Sequence, residues 1–145
     1  MFKHILLPID GSDLSLRAAR LGIALAKTCG ARVQALHVIP PFHTISYIAE
    51  TLATTEIAYT QDATKRGEAY LAVVQRMAET AELVCATGYV FDDHPHQVIL
   101  QTVLAQHCDL VVMGSHGRRG LTRLLLGSEV HKVLLESQIP VLVCR

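Results

Sequence analysis

The chain has 145 residues, half of them hydrophobic, and its 13 Lys and Arg balance 13 Asp and Glu. That length suits one domain spanning 1–145 and is too short for two ordinary ones. Neutral balance argues against a nucleic-acid partner, and no apolar run approaches the roughly 18 residues of a membrane span, so no membrane partner is expected.

Residues 3–9 read as a first strand, followed by the turn Asp10-Gly11-Ser12. The strand reaches Asp10 too early to be a signal-peptide core. The four scattered cysteines (Cys29, Cys85, Cys108 and Cys144) form no CxxC pair and fit free thiols in a reducing compartment, so the expected location is cytoplasmic. A helix is expected over 13–29, with Ser12 or Asp13 as N-cap and Gly30 as the stop. Ala18, Leu21, Gly22 and Leu25 have the spacing of its buried face. A second strand at 33–39 is closed by Pro40-Pro41, and 42–57 is the least readable stretch. There Ile45, Ile48, Ala49 and Leu52 hint at a short helix over the sheet edge or a site.

A longer helix is expected at 60–82 and a third strand at 83–91. Asp92-Asp93-His94-Pro95 then leads into a helix ending near His107. Residues 110–113 form the fourth strand, 128–137 a last helix and 140–144 a last strand. Alternating β and α elements with apolar strands predict a doubly wound α/β fold, its parallel sheet covered by helices on both faces. Ligands of such sheets sit at the carboxyl ends of the strands, where strand order reverses.

The run GSHGRRGLTRLLLGS, Gly114 to Ser128, lies between the fourth strand and the last helix. Glycine lets backbone N–H groups approach an anion closely, and a helix N-terminus supplies free amides and the positive end of its dipole. Arg118, Arg119 and Arg123 add local positive charge. Either phosphate neutralisation or simple solvation accounts for Arg118 and Arg119. The alternative motifs are missing: no GxxxxGK[ST], no GxGxxG in the first turn, no GxSxG elbow.

Gly114, Gly117, Gly127 and Ser128 satisfy the pattern Gly, two residues, Gly, nine residues, Gly, Ser or Thr. With the opening ILLPIDGSD, which carries Pro8 and Asp10, the segment His37-Val38-Ile39 and the closing IPVLVCR, the chain resembles the ATP-binding subgroup of the universal stress protein family over essentially its whole length. The resemblance implies an open five-stranded parallel sheet of order 3-2-1-4-5, a Rossmann-like fold akin to the adenine nucleotide alpha hydrolases. It also implies that an adenine nucleotide, ATP or else ADP or AMP, lies across the crevice with Mg²⁺ on its phosphates. Asp10 and Val38, beside Pro8, would hold the adenosine end. Met113 and Gly114 would line its pocket, and Gly117, Gly127 and Ser128 would meet ribose and phosphates, with Arg118 near them. A homodimer through Val141, Leu142 and Val143 is implied as well.

Glu129 follows Ser128 where many such proteins carry a small or β-branched residue, and it joins the candidate site with a charge that repels phosphate if aimed at it. Asp92-Asp93-His94 replaces a simpler turn. Nothing carries over to the variable stretch 42–59. His94 and His96 beside Asp92 and Asp93 read as a solvated helix start in preference to a surface metal site, and no metal ligand set is assigned. Asp10 could also cap the first helix, and Ser128 could be only an N-cap. The reading is a nucleotide-regulated stress-response protein with no catalytic residue assigned. A weak Mg²⁺-dependent ATPase or nucleotidyl transferase, and a nucleotide-free dimerisation module, stay open.

Overall fold

Ile5, Leu6 and Leu7 are all completely buried. Consecutive burial means that both faces of their strand are covered, as in the centre of a parallel sheet between helical layers. The computed structural model, described over residues 1–51, 54–118 and 125–145, bears this out. Its elements are β1 (His4–Pro8), α1 (Asp13–Cys29), β2 (Arg32–Ile39), α2 (Phe42–Thr51), α3 (Glu56–Thr80), β3 (Cys85–Phe91), α4 (Pro95–Ala105), β4 (Leu110–Gly114), α5 (Ser128–Glu136) and β5 (Val141–Cys144). The five strands are parallel in the order β3-β2-β1-β4-β5, as expected.

Alternation along the strands sorts the core into two layers. Ile5, Leu7, Val33 and Val112 face Ala19, Ile23, Leu71 and Val74 of α1 and α3. Leu6, Leu36, Val111 and Met113 face Val98, Val103, Val130 and Val133 of α4 and α5. From β1 the chain winds outward through β2 to β3, then crosses back to β4 on the other side. β1 and β4 are therefore neighbours whose following loops diverge, and this is the switch point.

The bounds of α1 are those expected, because both ends carry caps. Ser12 Oγ accepts the Ser15 N–H at 3.1 Å, and Gly30 ends the helix at φ 68°. Its buried stripe differs from expectation: Leu21 is 48% exposed, while Leu14, Ala18, Ala19, Gly22, Ile23 and Ala26 are buried. Small residues let α1 lie close on the sheet; a Cβ on Gly22 would come 2.4 Å from Leu7 Cδ2.

The expected start of the long helix was too late. α3 begins at Glu56, where Thr55 caps the Ala58 N–H at 3.1 Å. The short helix in the variable stretch is α2. His43 Nε2 lies 2.9 Å from Asp93 Oδ2, the Thr44 hydroxyl donates to Asp93 Oδ1, and the Tyr59 hydroxyl donates to the Pro40 carbonyl at 2.5 Å. These contacts pin α2 beside the carboxyl ends of β2 and β3. Leu52 lies outside the described residues, as do Arg119 and Arg123. No helix among the described residues is long and apolar enough to cross a membrane.

Candidate functional site

At the carboxyl end of β1, the Asp10 carboxylate bridges two loops. Its Oδ1 accepts from the Ser12 N–H at 2.9 Å and the Ser12 hydroxyl at 2.6 Å. Its Oδ2 accepts from the Arg118 N–H at 3.0 Å. Asp10 thus braces the turn that caps α1 and, on its other oxygen, fixes the start of the glycine loop.

Gly117 explains why the loop needs a glycine there, since a Cβ would sit 2.6 Å from Asp10 Oδ2. Gly114 and Gly127 are confined too: a Cβ would lie 3.1 Å from Leu14 Cγ and 3.2 Å from His116 Cα, respectively. The base of the loop is hydrogen-bonded. Ser115 N–H donates to the Cys144 carbonyl at 2.7 Å, and Gly127 N–H donates to the Ser115 carbonyl at 2.8 Å. The Ser115 hydroxyl lies 3.2 Å from His116 Nδ1.

Gly127, not Ser128, is the N-cap of α5, and it supplies no side-chain cap. The first amide of α5 bonded back into the chain is His131, to the Gly127 carbonyl at 3.0 Å. The N–H groups of Ser128, Glu129 and Val130 find no acceptor among the described residues. Such a helix end attracts an anion, with about 0.3–1 kcal/mol from the dipole at an exposed site. α4 is the opposite case. Pro95 has no N–H, Gln97 and Val98 donate to the His94 carbonyl at 3.0 and 3.3 Å, and His96 N–H donates to Glu129 Oε2 at 2.8 Å.

Glu129 therefore turns its carboxylate toward α4. Oε2 also lies 2.9 Å from His96 Nδ1, and Oε1 is 3.1 Å from Lys132 Nζ. Burial pushes its carboxyl up, but the His96 backbone and ring N–H groups and the Lys132 ammonium outweigh that and hold it below the usual range. His96 is 6% exposed and packed between helices, so the expected solvated helix start is incorrect for it. Among the described residues no group of three His, Cys, Asp or Glu is arranged to hold a metal ion.

Pro8, Val38 and Met113 approach the crevice from the sheet face covered by α4 and α5. Val38 packs against the buried cluster containing Met113, and Pro8 follows Leu6 by two residues. The other wall sets Arg118 beside Tyr70 and His37, two residues that sequence reasoning missed. Tyr70 of α3 lies against Gly11, where a Cβ would fall 2.4 Å from the ring, and the Arg118 guanidinium sits 5.1 Å from the ring centroid. His37 meets the same ring edge-on at 5.4 Å, and its Nδ1–H donates to the Ile9 carbonyl at 2.6 Å. Burial pushes the His37 imidazole below its usual pKa, against the opposing pull of the Ile9 carbonyl.

The profile of the universal stress protein family matches residues 1–145. The chain belongs to the universal stress protein family. It is 34% identical over 152 residues to a universal stress protein of Thermus aquaticus, with both chains covered in full. The solved structure of the universal stress protein MJ0577 of Methanocaldococcus jannaschii is 28% identical, with a TM-score of 0.83 over 99% of this chain and 96% of that one. Two further structures share the fold. One is a universal stress protein in complex with cAMP, at TM-score 0.74 and 21% identity over 99% and 97% of the two chains. The other, from Archaeoglobus fulgidus in complex with dAMP, has TM-score 0.72 and 16% identity over 100% and 98%. In this family member the glycine pattern and Asp10 meet at the switch point, whereas Glu129 faces away along α4.

Proposed function

We propose that this universal stress protein binds ATP across the carboxyl ends of β1 and β4, in the cytoplasm, as a regulatory ligand of a homodimer. The observation that carries the reading is the open N-terminus of α5, whose Ser128, Glu129 and Val130 N–H groups lack acceptors among the described residues beside the Asp10–Gly117 contact. Adenine nucleotides in the cAMP and dAMP complexes of two proteins of this fold support the ligand class.

Pro8, Val38, Met113 and Gly114 serve the adenosine end, with Asp10 at the junction. Gly117, Gly127 and Ser128 admit the phosphates, Arg118 adds charge, and the α5 amides receive the terminal oxygens. Glu129 contributes its N–H and keeps its carboxylate on α4. Mg²⁺ would accompany ATP and supply charge neutralisation; no group of three His, Cys, Asp or Glu among the described residues would cage it, which suits an ion that keeps most of its waters. The role is occupancy: a ligand favouring one conformation stabilises it by its differential affinity.

Calorimetric titration tests this. Wild-type protein binds ATP more tightly than AMP, and Gly117→Val abolishes binding because a branched side chain meets Asp10. Equal affinity in Gly117→Val moves the site elsewhere, and no wild-type binding of any adenine nucleotide overturns the reading.

A further inference from the structure

Glu129 is the second residue of α5, and a carboxylate in a helix's first turn ordinarily interacts with that helix's own free amides. Here it does not. One oxygen is taken by the His96 N–H at 2.8 Å and His96 Nδ1 at 2.9 Å, the other by Lys132 at 3.1 Å. His96 is buried, with its Nε2 4.0 Å from Glu136 Oε1, so its ring is bracketed by two carboxylates of the same helix. Glu129 supplies the cap that α4 lacks, since His94 makes no side-chain cap bond and Pro95 has no N–H.

The same pair thus closes one helix start and opens the next. We infer that His96 is a positioning residue for polyphosphate: by drawing the Glu129 carboxylate onto α4, it keeps negative charge away from the α5 amides and leaves them to an incoming anion. This rests on the proposed nucleotide site. Without the imidazole, Glu129 retains only the His96 backbone N–H and Lys132, and it is free to turn toward its own helix start, where it competes with phosphate. The effect must scale with ligand charge, so it separates ATP from adenosine.

The test is calorimetric titration of ATP and adenosine into wild type, His96→Ala, His96→Asn, Glu129→Gln and the double variant His96→Ala/Glu129→Gln. Circular dichroism confirms folding. His96→Ala lowers the affinity for ATP relative to adenosine by about tenfold, roughly 1.4 kcal/mol. His96→Asn, whose amide can donate from near the Nδ1 position, restores most of it. In the Glu129→Gln background the His96→Ala change no longer alters that ratio. Equal losses for ATP and adenosine, or a loss that persists in the Glu129→Gln background, overturn the inference while leaving the site intact. Wild type that binds neither ligand overturns the site and the inference together.

Discussion

The Asp10 carboxylate accepts the Arg118 N–H at 3.0 Å, joining residues 108 apart in sequence across the top of the sheet. With the other oxygen on Ser12, it holds two loops with one side chain. Asp10→Ala strands these donors. It is expected to cost about 1–3 kcal/mol in denaturant unfolding and to weaken ATP binding in titration. Asp10→Asn, which keeps one acceptor oxygen, falls between.

Gly11 and Gly30 both have positive φ, at 80° and 68°, yet their surroundings differ. A Cβ on Gly30 meets nothing within 4 Å, whereas one on Gly11 strikes the Tyr70 ring at 2.4 Å. Gly30→Ala is expected to cost about 1–2 kcal/mol, the strain of the left-handed backbone alone. Gly11→Ala adds a steric clash, so its thermal midpoint must fall further than that of Gly30→Ala.

Tyr70 is the hub of the second wall, touching Gly11, His37 and Arg118 through its ring. Tyr70→Phe keeps every ring contact and leaves stability close to wild type. Tyr70→Leu loses the edge-on and cation contacts and is expected to be about 1 kcal/mol less stable than Tyr70→Phe in urea unfolding.

Burial lowers the pKa of both His37 and His4 from the ordinary 6.5. Between the folded value and 6.5 the unfolded chain binds more protons, so stability rises with pH through that window and is lost as pH falls below about 6.5. The Glu129 carboxyl acts lower down. Held below its ordinary 4.5, it contributes stability that persists above that pH and disappears as pH falls through the folded value. Thermal midpoints measured from pH 8 to 2 are expected to decline in these two stages. His37→Gln should shrink the first to the share of His4 and spare the second.

In β5 the carbonyls of Pro140 and Cys144 face β4, so the N–H groups of Val141 and Val143 point to the free edge. Val143→Pro removes an outward donor without taking one from β4. If copies pair along this edge, the variant elutes as a monomer at concentrations where wild type is a dimer.

Sequence legibility followed the range of the interactions. The ends of α1 were readable because Ser12 and Gly30 act on adjacent turns. Of its expected buried face Ala18 and Gly22 are buried, but Leu21 points outward, since Gly22 makes the close approach to Leu7. The start of α3 was hidden because Thr55 caps it from within an otherwise unpatterned stretch. The glycine pattern places the loop, but Tyr70 is a helical tyrosine whose partners lie on distant elements, so nothing local singles it out. His96 was misread for the same reason, since its partner Glu129 is 33 residues away.

The Cys144 carbonyl that anchors the Ser115 N–H belongs to the same strand whose other edge pairs with no strand among the described residues. A pull on that edge reaches the glycine loop through one peptide unit. If neighbouring copies take up the edge, occupancy and self-association become reciprocal: whatever factor the ligand adds to the association constant, association adds to the ligand's. Dilution alone then lowers the affinity for the ligand, by no more than that same factor.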